Sequence, residues 1–163
     1  MTNEIGVAET DPSRAIFDWG LRTFIMAIVN MTPDSFSGDG LGTRVDDAVR
    51  RAIRAVDEGA DIIDVGGEST RPGHERVSIL EEIDRVVHVI ESISAAVNVP
   101  ISIDTSKAGV ALAAISAGAS IVNDVRGLTG DAEMAAVVAH AGVPVVVMHD
   151  AVPDVSSDLL LSV

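Results

Sequence analysis

The stretch GADIIDVGGESTRPG, residues 59–73, contains in succession a helix stop, a short buried strand and a polar loop. Gly59 predicts the end of a helix, and the apolar residues after it predict a strand over Asp61–Val65. The loop that follows carries Thr70 and Arg71 between glycines, which permit close approach of the backbone. A hydroxyl and a guanidinium in such a loop favour a site for an anion or a polar ligand, and an exposed loop pair is the plainer alternative.

Four further segments repeat this order of apolar strand, polar strand end and helix. The pattern predicts strands over Thr23–Val29, Pro100–Ile103, Ala119–Val122 and Val143–Met148, and helices over Thr43–Glu58, Ile79–Val97, Ala108–Ala117, Asp131–His140 and from Ser156 to Val163. Ser78 and Glu81 form a capping-box pattern, and Asn98, Gly118 and Gly142 mark helix ends. Parallel strands at this spacing predict a (β/α) barrel or a doubly wound sheet, and no GxGxxG follows the first strand.

The composition is typical of a soluble α/β protein. Of the 163 residues 47% are apolar, the net charge is −14, and the absence of cysteine excludes disulfides and thiolate metal sites. The acidic balance argues against nucleic-acid binding, and the lack of a run of about 18 apolar residues argues against a membrane span. The first residues lack the order of a signal peptide, so we expect a cytoplasmic protein. We interpret residues 1–22 as a tail or leading segment, with Phe17 and Trp19 packed at the barrel bottom, and residues 23–163 as the barrel domain.

Polar residues end each predicted strand, namely Asn30, Asp64, Asp104, Asn123 and His149. In a barrel the carboxyl ends of the strands gather at one face, so these side chains are expected to converge. The carboxylate of Asp104 and the amide of Asn123 suit a flat heterocycle with an amino-imine edge beside a carbonyl. Helix capping explains the same two residues equally well.

The other candidates have plain alternatives as well. Asn30 could ligate Mg²⁺ together with substrate phosphates, or it could be an ordinary turn asparagine. Lys107 is interpreted as capping or solvating its turn. His149 is interpreted as a strand-end hydrogen bonder, because no second histidine lies at ligand spacing. Met148 is more typical of a core than of a ring-stacking position.

Long motifs, in the order of the chain, resemble those of the dihydropteroate synthase family. IMAIVNMTPDSFSGDG (residues 25–40) and GADIIDVGGESTRPG are similar to its two signature segments, and ISIDTSK (101–107), IVNDVRGL (121–128) and VVVMHD (145–150) to its third, fourth and fifth strand ends. The resemblance implies a (β/α)₈ TIM barrel. It also implies that p-aminobenzoate condenses with 6-hydroxymethyl-7,8-dihydropterin diphosphate, giving 7,8-dihydropteroate and diphosphate in folate biosynthesis.

The same resemblance implies roles for individual residues. The implied contacts are Asn30 with Mg²⁺ and the diphosphate, Asp104 and Asn123 with the pterin edge, Met148 with the pterin ring, and Thr70 near the diphosphate. Two loops that close over the p-aminobenzoate site would contain Asp34, Ser35, Phe36, Arg71 and Pro72. Sulfonamides would compete at that site, and no residue is assigned as a general acid or base.

Three features depart from the family pattern. The first loop contains SGDG where the family usually has SDGG, and the fifth strand end lacks the usual Met-Gln-Gly after MH. The chain also ends at Val163, where a barrel of this type needs roughly 250 residues. We therefore expect a fragment of about five βα units that is inactive and prone to aggregate alone, with a homodimer for the full-length form. The alternatives are a non-catalytic pterin- or folate-binding module and a methyltetrahydrofolate methyltransferase-like domain, and the TPDSFS loop argues against the second.

Overall fold

The fold alternates strands and helices along the chain. A computed structural model describes Phe17, Gly20 and residues 22–31, 41–69 and 76–149, with the side chains of residues 41–43 excepted. The strands are β1 (Met26–Asn30), β2 (Ile62–Gly66), β3 (Ile101–Asp104), β4 (Ile121–Asp124) and β5 (Val145–Val147). The helices are α1 (Leu41–Asp57), α2 (Ile79–Ala96), α3 (Ala108–Ser116) and α4 (Met134–Ala141). Among the described residues no helix is both long and apolar enough to cross a membrane.

All five strands are parallel and lie in one sheet in the order β1-β2-β3-β4-β5. Each helix contacts the next, so that α1 to α4 form one layer on a single face of the sheet. A doubly wound sheet reverses its strand order and carries helices on both faces, whereas a barrel keeps the sequential order seen here. The fold is therefore a (β/α)-barrel type with five strands in the described part, as predicted.

The hydrophobic core lies between this sheet and its helices. Alternate strand residues such as Ile63, Val65 and Ile103 point toward the helices and are fully buried there, in contact with helix residues such as Ile90 and Val110. The residues between them, including Asp64, Asp104 and Asn123, point to the opposite face, which we call the inner face. A period of two along each strand thus separates the apolar core from a polar surface.

Phe17 covers the inner face of the sheet at the amino-terminal ends of the strands. Its ring is 5% exposed and packs with Ile62 and Ile121, the first residues of β2 and β4. It also meets Phe24 edge to face, with 4.9 Å between the ring centroids. The prediction that Phe17 packs at the bottom of the barrel is confirmed, while Trp19 lies outside the described residues.

Several predicted boundaries differ from those observed. Regular strand β1 begins at Met26 rather than Thr23, because the Asp61 carboxylate binds the Ile25 amide at 2.8 Å. Helix α4 begins at Met134 rather than Asp131, because both oxygens of Asp131 accept backbone amide protons, from Ala108 and from Glu133. Strand β5 has three residues rather than six, consistent with pairing along one edge. The predicted Ser156–Val163 helix lies outside the described residues.

The predicted helix ends are confirmed at three glycines and wrong at Asn98. Gly59, Gly118 and Gly142 all have positive φ angles, of 105°, 117° and 65°. Helix α2 instead ends at Ala96, and the following Val97 has an extended backbone at φ −128°. Leu128 is the one described non-glycine residue in the left-handed region, so the chain leaves α2 without a left-handed residue.

Candidate functional site

The carboxyl ends of four strands bring predicted site residues into one row on the inner face. The sheet register pairs Asn30 with Gly66, Gly66 with Asp104, and Asp104 with Asn123. A Cβ placed on Gly66 would lie 3.1 Å from Asn30 Oδ1 and 3.6 Å from Asp104 Oδ2. Because Gly66 has no side chain, the polar atoms of Asn30 and Asp104 flank an open position between them. The predicted convergence of Asn30, Asp104 and Asn123 is confirmed.

Asp64, which was predicted at a strand end but without a role in the site, lies directly below this row. It occupies the inner face two residues before Gly66, is 3% exposed, and accepts a hydrogen bond from Asn123 Nδ2 at 3.3 Å. That bond orients the Asn123 amide and leaves its oxygen available to a ligand. The period of two along β2 could have revealed Asp64, since it places Asp64 and Gly66 on one face.

Burial raises the pKa of both inner-face carboxylates. For Asp64, hydrogen bonds from Ser102 and Asn123 offset only part of that effect. Burial, followed by the negative charges of Asp64, Glu82 and Asp124, raises the pKa of Asp104 to about 7. At neutral pH Asp104 is therefore divided between its protonated and ionised forms.

Asp104 also has one carboxylate oxygen without a donor. Asp104 Oδ1 is buried and accepts no hydrogen bond from the part of the chain that the structure describes. A buried carboxylate oxygen without a donor is costly, so a ligand that brings N–H groups to it gains binding energy. Asn123 adjoins Asp104 in the register and adds a neutral amide to the same edge. The arrangement can hold a planar ligand with several N–H donors and one acceptor.

Lys107 has a larger role than the predicted turn interaction. Its ammonium donates to the carboxylates of Glu68 and Glu82 and to the carbonyl of Val77. Burial lowers the pKa of Lys107, but the hydrogen bonds to Glu68 and Glu82 outweigh this, and the net pKa is raised. The pattern DTSK gave no indication of this pairing, because Glu68 and Glu82 are distant in sequence and come together only in the fold.

A cleft of 490 Å³ opens beside Asp104 at the carboxyl ends of the strands. Its walls include Lys107, Arg126 and Met148, so the cleft joins the predicted pterin residues Asp104 and Met148. Met148 is exposed and follows β5, where its backbone amide donates to the Asp124 carbonyl at 3.3 Å. Asn30 and Asn123 lie outside the lining of this cleft. The structure thus places the predicted residues on two neighbouring surfaces that share Asp104.

The remaining predicted site residues belong to loops outside the described residues, namely Asp34, Ser35, Phe36, Thr70, Arg71 and Pro72. Their predicted roles stay predictions. Among the residues that the structure does describe, no cluster of three histidine, aspartate or glutamate side chains could hold a metal ion.

The parallel sheet and the polar row at its carboxyl edge define a (β/α)-barrel protein with a ligand site at the strand ends. Residues 26–158 match the model of the pterin binding enzymes, and the chain belongs to that family. It is 48% identical over 165 residues to dihydropteroate synthase of Bacillus subtilis, covering 96% of this chain and 57% of the relative. It is 53% identical over 134 residues to that of Clostridium beijerinckii, covering 82% of this chain and 50% of the relative. The resemblance to dihydropteroate synthases is confirmed, and the chain spans about half the length of these curated relatives.

Solved structures agree with this assignment. Dihydropteroate synthase of Clostridium difficile, crystallised in the presence of pteroic acid, superposes with a TM-score of 0.84 at 46% identity, covering 90% of this chain and 56% of that chain. The enzyme of Xanthomonas albilineans with 4-aminobenzoic acid gives a TM-score of 0.77 at 46% identity, covering 86% and 51% of the two chains. The fold is thus the barrel type of these enzymes, matched over about half of their length.

Proposed function

We propose that this chain carries the pterin-binding part of a dihydropteroate synthase. In the proposed reaction the amine nitrogen of p-aminobenzoate forms a bond to the methylene carbon of 6-hydroxymethyl-7,8-dihydropterin diphosphate. The carbon–oxygen bond to the diphosphate breaks, diphosphate leaves with the electron pair, and the amine loses a proton. The observation that carries this proposal is the pair Asp104 and Asn123, which lie side by side above a buried Asp64.

The pterin edge matches what these residues offer. A pterin presents an amino group, a ring N–H and a carbonyl along one edge, and an ionised carboxylate accepts the two N–H bonds in parallel. The Asp104 oxygen without an internal donor supplies one acceptor. Asn123 offers its amide oxygen, because its Nδ2 donates to Asp64. Met148 borders the same cleft as Asp104 and would pack on the ring.

The diphosphate would be held next to this pocket with Mg²⁺. Asn30 fits this role, because its oxygen lies at an exposed strand end beside the open position over Gly66. Mg²⁺ commonly takes only one or two protein oxygens and completes its shell with water and substrate phosphates. When bound, the ion would neutralise charge on the leaving diphosphate. Thr70 and Arg71 are proposed to contact the substrate from the loop after β2.

The p-aminobenzoate site is proposed to involve Asp34, Ser35, Phe36 and Pro72 together with that loop. Sulfonamides, which share the aniline ring and an acidic substituent, are proposed to compete there. No side chain is assigned as a general acid or base, because the reaction depends on a good leaving group and on positioning of the amine. Asp104 serves in binding the pterin edge.

A chimeric enzyme tests the proposal. The chain would replace its matching segment in the B. subtilis relative, and formation of 7,8-dihydropteroate would be assayed by chromatography. We expect turnover by the chimera and a loss of about a hundredfold or more in its Asn123→Leu form, since two hydrogen bonds disappear. A folded chimera that binds a pterin but never forms product would favour the alternative, a non-catalytic pterin-binding module.

A further inference from the structure

One side chain holds both described ends of the connection between β2 and α2. The Lys107 ammonium donates to the carboxylate of Glu68, which lies two residues after β2. It also donates at 2.8 Å to the carbonyl of Val77, which lies two residues before α2. Its third contact is the carboxylate of Glu82, in the first turn of α2. We call these four groups the Lys107 cluster.

The Lys107 cluster is partly buried, and its contacts use every donor of the ammonium. The Glu82 side chain is 1% exposed, and those of Glu68 and Lys107 are 17% and 20% exposed. An ammonium has three donors and no acceptor, so the three contacts satisfy it completely. Because these contacts are largely removed from water, they fix geometry better than an exposed ion pair would.

The chain next to Glu68 is also packed tightly against α2. A Cβ on Gly67 would lie 2.7 Å from Val86 Cγ1 and 2.9 Å from Glu82 Cγ, so only glycine fits there. The Arg85 guanidinium donates to the Gly67 carbonyl at 2.9 Å. The start of the connection is therefore held from the α2 side as well as by Lys107.

The Lys107 cluster links the connection between β2 and α2 to the candidate pterin site. Lys107 lies three residues after Asp104, on the connection from β3 to α3. Glu68, Glu82, Asp104 and Lys107 all line the same cleft. The contacts of the Lys107 ammonium therefore link Asp104 to both described ends of the β2–α2 connection.

We propose that Lys107 is a positioning residue that joins Glu68, after β2, to Val77 and Glu82 at the start of α2 and so fixes the wall of the cleft beside Asp104. Because Glu68 and Ser69 line that cleft, binding of the diphosphate end of the substrate, which rests on the proposed function, depends on these contacts, whereas contacts with the pterin edge do not. The joining of the two described chain ends rests on the Lys107 cluster alone.

A pair of substitutions at Glu68 distinguishes the loss of its hydrogen bond from Lys107 from the loss of its negative charge. Glu68→Leu and Glu68→Gln remove the same negative charge, but the glutamine oxygen still accepts from Lys107 and the leucine offers no acceptor. Lys107 keeps Glu82 and Val77 in both variants. Arg54→Met, which removes the exposed Arg54–Glu58 pair on α1, serves as a control for loss of an ion pair elsewhere.

Hydrogen–deuterium exchange of the peptide from Gly66 to Ser78 gives the first readout. We expect uptake about tenfold faster in Glu68→Leu, within about threefold of wild type in Glu68→Gln, and unchanged in Arg54→Met. Equal uptake in wild type and Glu68→Leu would overturn the proposal. So would equal acceleration in both Glu68 variants, because charge rather than contact would then be responsible.

Calorimetric titration gives the second readout, with 6-hydroxymethylpterin and with its diphosphate ester plus Mg²⁺. We expect Glu68→Leu to weaken binding of the diphosphate ester about tenfold and to leave the plain pterin within about twofold of wild type. An equal loss for both ligands would overturn the positioning role. If wild type bound neither ligand, the proposed function would fail, while the exchange experiment would still decide whether Lys107 holds the connection.

Discussion

At the scale of single residues, the site is governed by two carboxylates on the inner face, Asp64 and Asp104, and by the amide of Asn123, which lies beside Asp104 and donates to Asp64. Asp104 has a pKa raised to about 7, while Asp64 is almost completely buried. Such an arrangement costs stability in the free protein, because one charged group is placed near another in a poorly hydrated position. The same arrangement favours a ligand that brings hydrogen-bond donors.

Asp104→Asn is expected to stabilise the folded protein at pH 8. The folded pKa of about 7 lies above the ordinary value of 3.8, so the folded state retains a proton that the unfolded state has lost. The stability that Asp104 contributes is present below about pH 4 and is lost as the pH rises through 7. We expect the variant to gain at least about 1.4 kcal/mol over wild type at pH 8, with the difference closing at pH 4. Thermal unfolding at both pH values measures this.

Asp131→Asn is the control, in which the change of stability at pH 8 is expected to have the opposite sign. The pKa of Asp131 is lowered by hydrogen bonds from the backbone amides of Glu133 and Ala108, so its ionised form stabilises the fold. The variant should lose stability at pH 8 and differ less from wild type near pH 3. If Asp104→Asn behaved like Asp131→Asn, the inner face would not disfavour charge and the account of its electrostatics would be wrong.

At the scale of elements, the carboxyl end of β2 depends on two glycines with different tasks. Gly66 opens the position between Asn30 and Asp104, and Gly67 allows the chain to lie against α2. Neither has a positive φ, so the reason is close approach rather than backbone conformation.

Gly67→Ala is therefore expected to destabilise the protein by roughly 1–3 kcal/mol, the usual cost of overpacking. The new methyl group would meet Val86 and Glu82 of α2 at less than 3.0 Å. Gly109→Ala, near the start of α3, is the milder comparison, because its methyl group would lie 3.3 Å from Cγ2 of the exposed Ile79 side chain, and it should change stability by less than about 1 kcal/mol. Urea titration measures both changes. Equal stability of Gly67→Ala and wild type would contradict the packing described here.

Some features of the strands could be predicted from the sequence, and others depend on contacts that only the fold creates. Strand ends such as Asp104 and Asn123 were predictable, because an apolar run followed by a polar residue identifies a strand end without knowledge of which strand pairs with it. Asp64 was placed at a strand end but given no role, because its importance depends on which face of β2 it occupies. The contacts of Lys107 could not be predicted at all, since they join residues 25 and 39 positions away. Short strand β5 was overpredicted, because its apolar residues do not reveal that it lies at an edge.

At the scale of the whole molecule, the described part presents an incompletely covered sheet. Ile28 of β1 is 67% exposed on the inner face, and Val147 and Met148 at the β5 edge are 54% and 52% exposed. Strands β1 and β5 each pair on one side only within the described residues. Exposed apolar strand edges are templates for association with other chains.

The isolated polypeptide is therefore expected to self-associate at micromolar concentration, which sedimentation velocity would reveal as species larger than the 16.9 kDa chain. Val147→Lys should reduce the larger species, because a lysine at a strand edge opposes pairing with another chain. A monomer at all concentrations with cooperative thermal unfolding would contradict this prediction.

The central claim is that Asp104 and Asn123 hold a pterin edge, and calorimetric titration of this chain with 6-hydroxymethylpterin tests it most directly. We expect binding at pH 8, about tenfold weaker binding at pH 6, where Asp104 is mostly protonated, and loss of binding in Asn123→Leu. The sign follows from the raised pKa, because the ionised carboxylate is the form that accepts two N–H bonds. Absence of binding at pH 8, or equal binding by wild type and Asn123→Leu, would contradict the account.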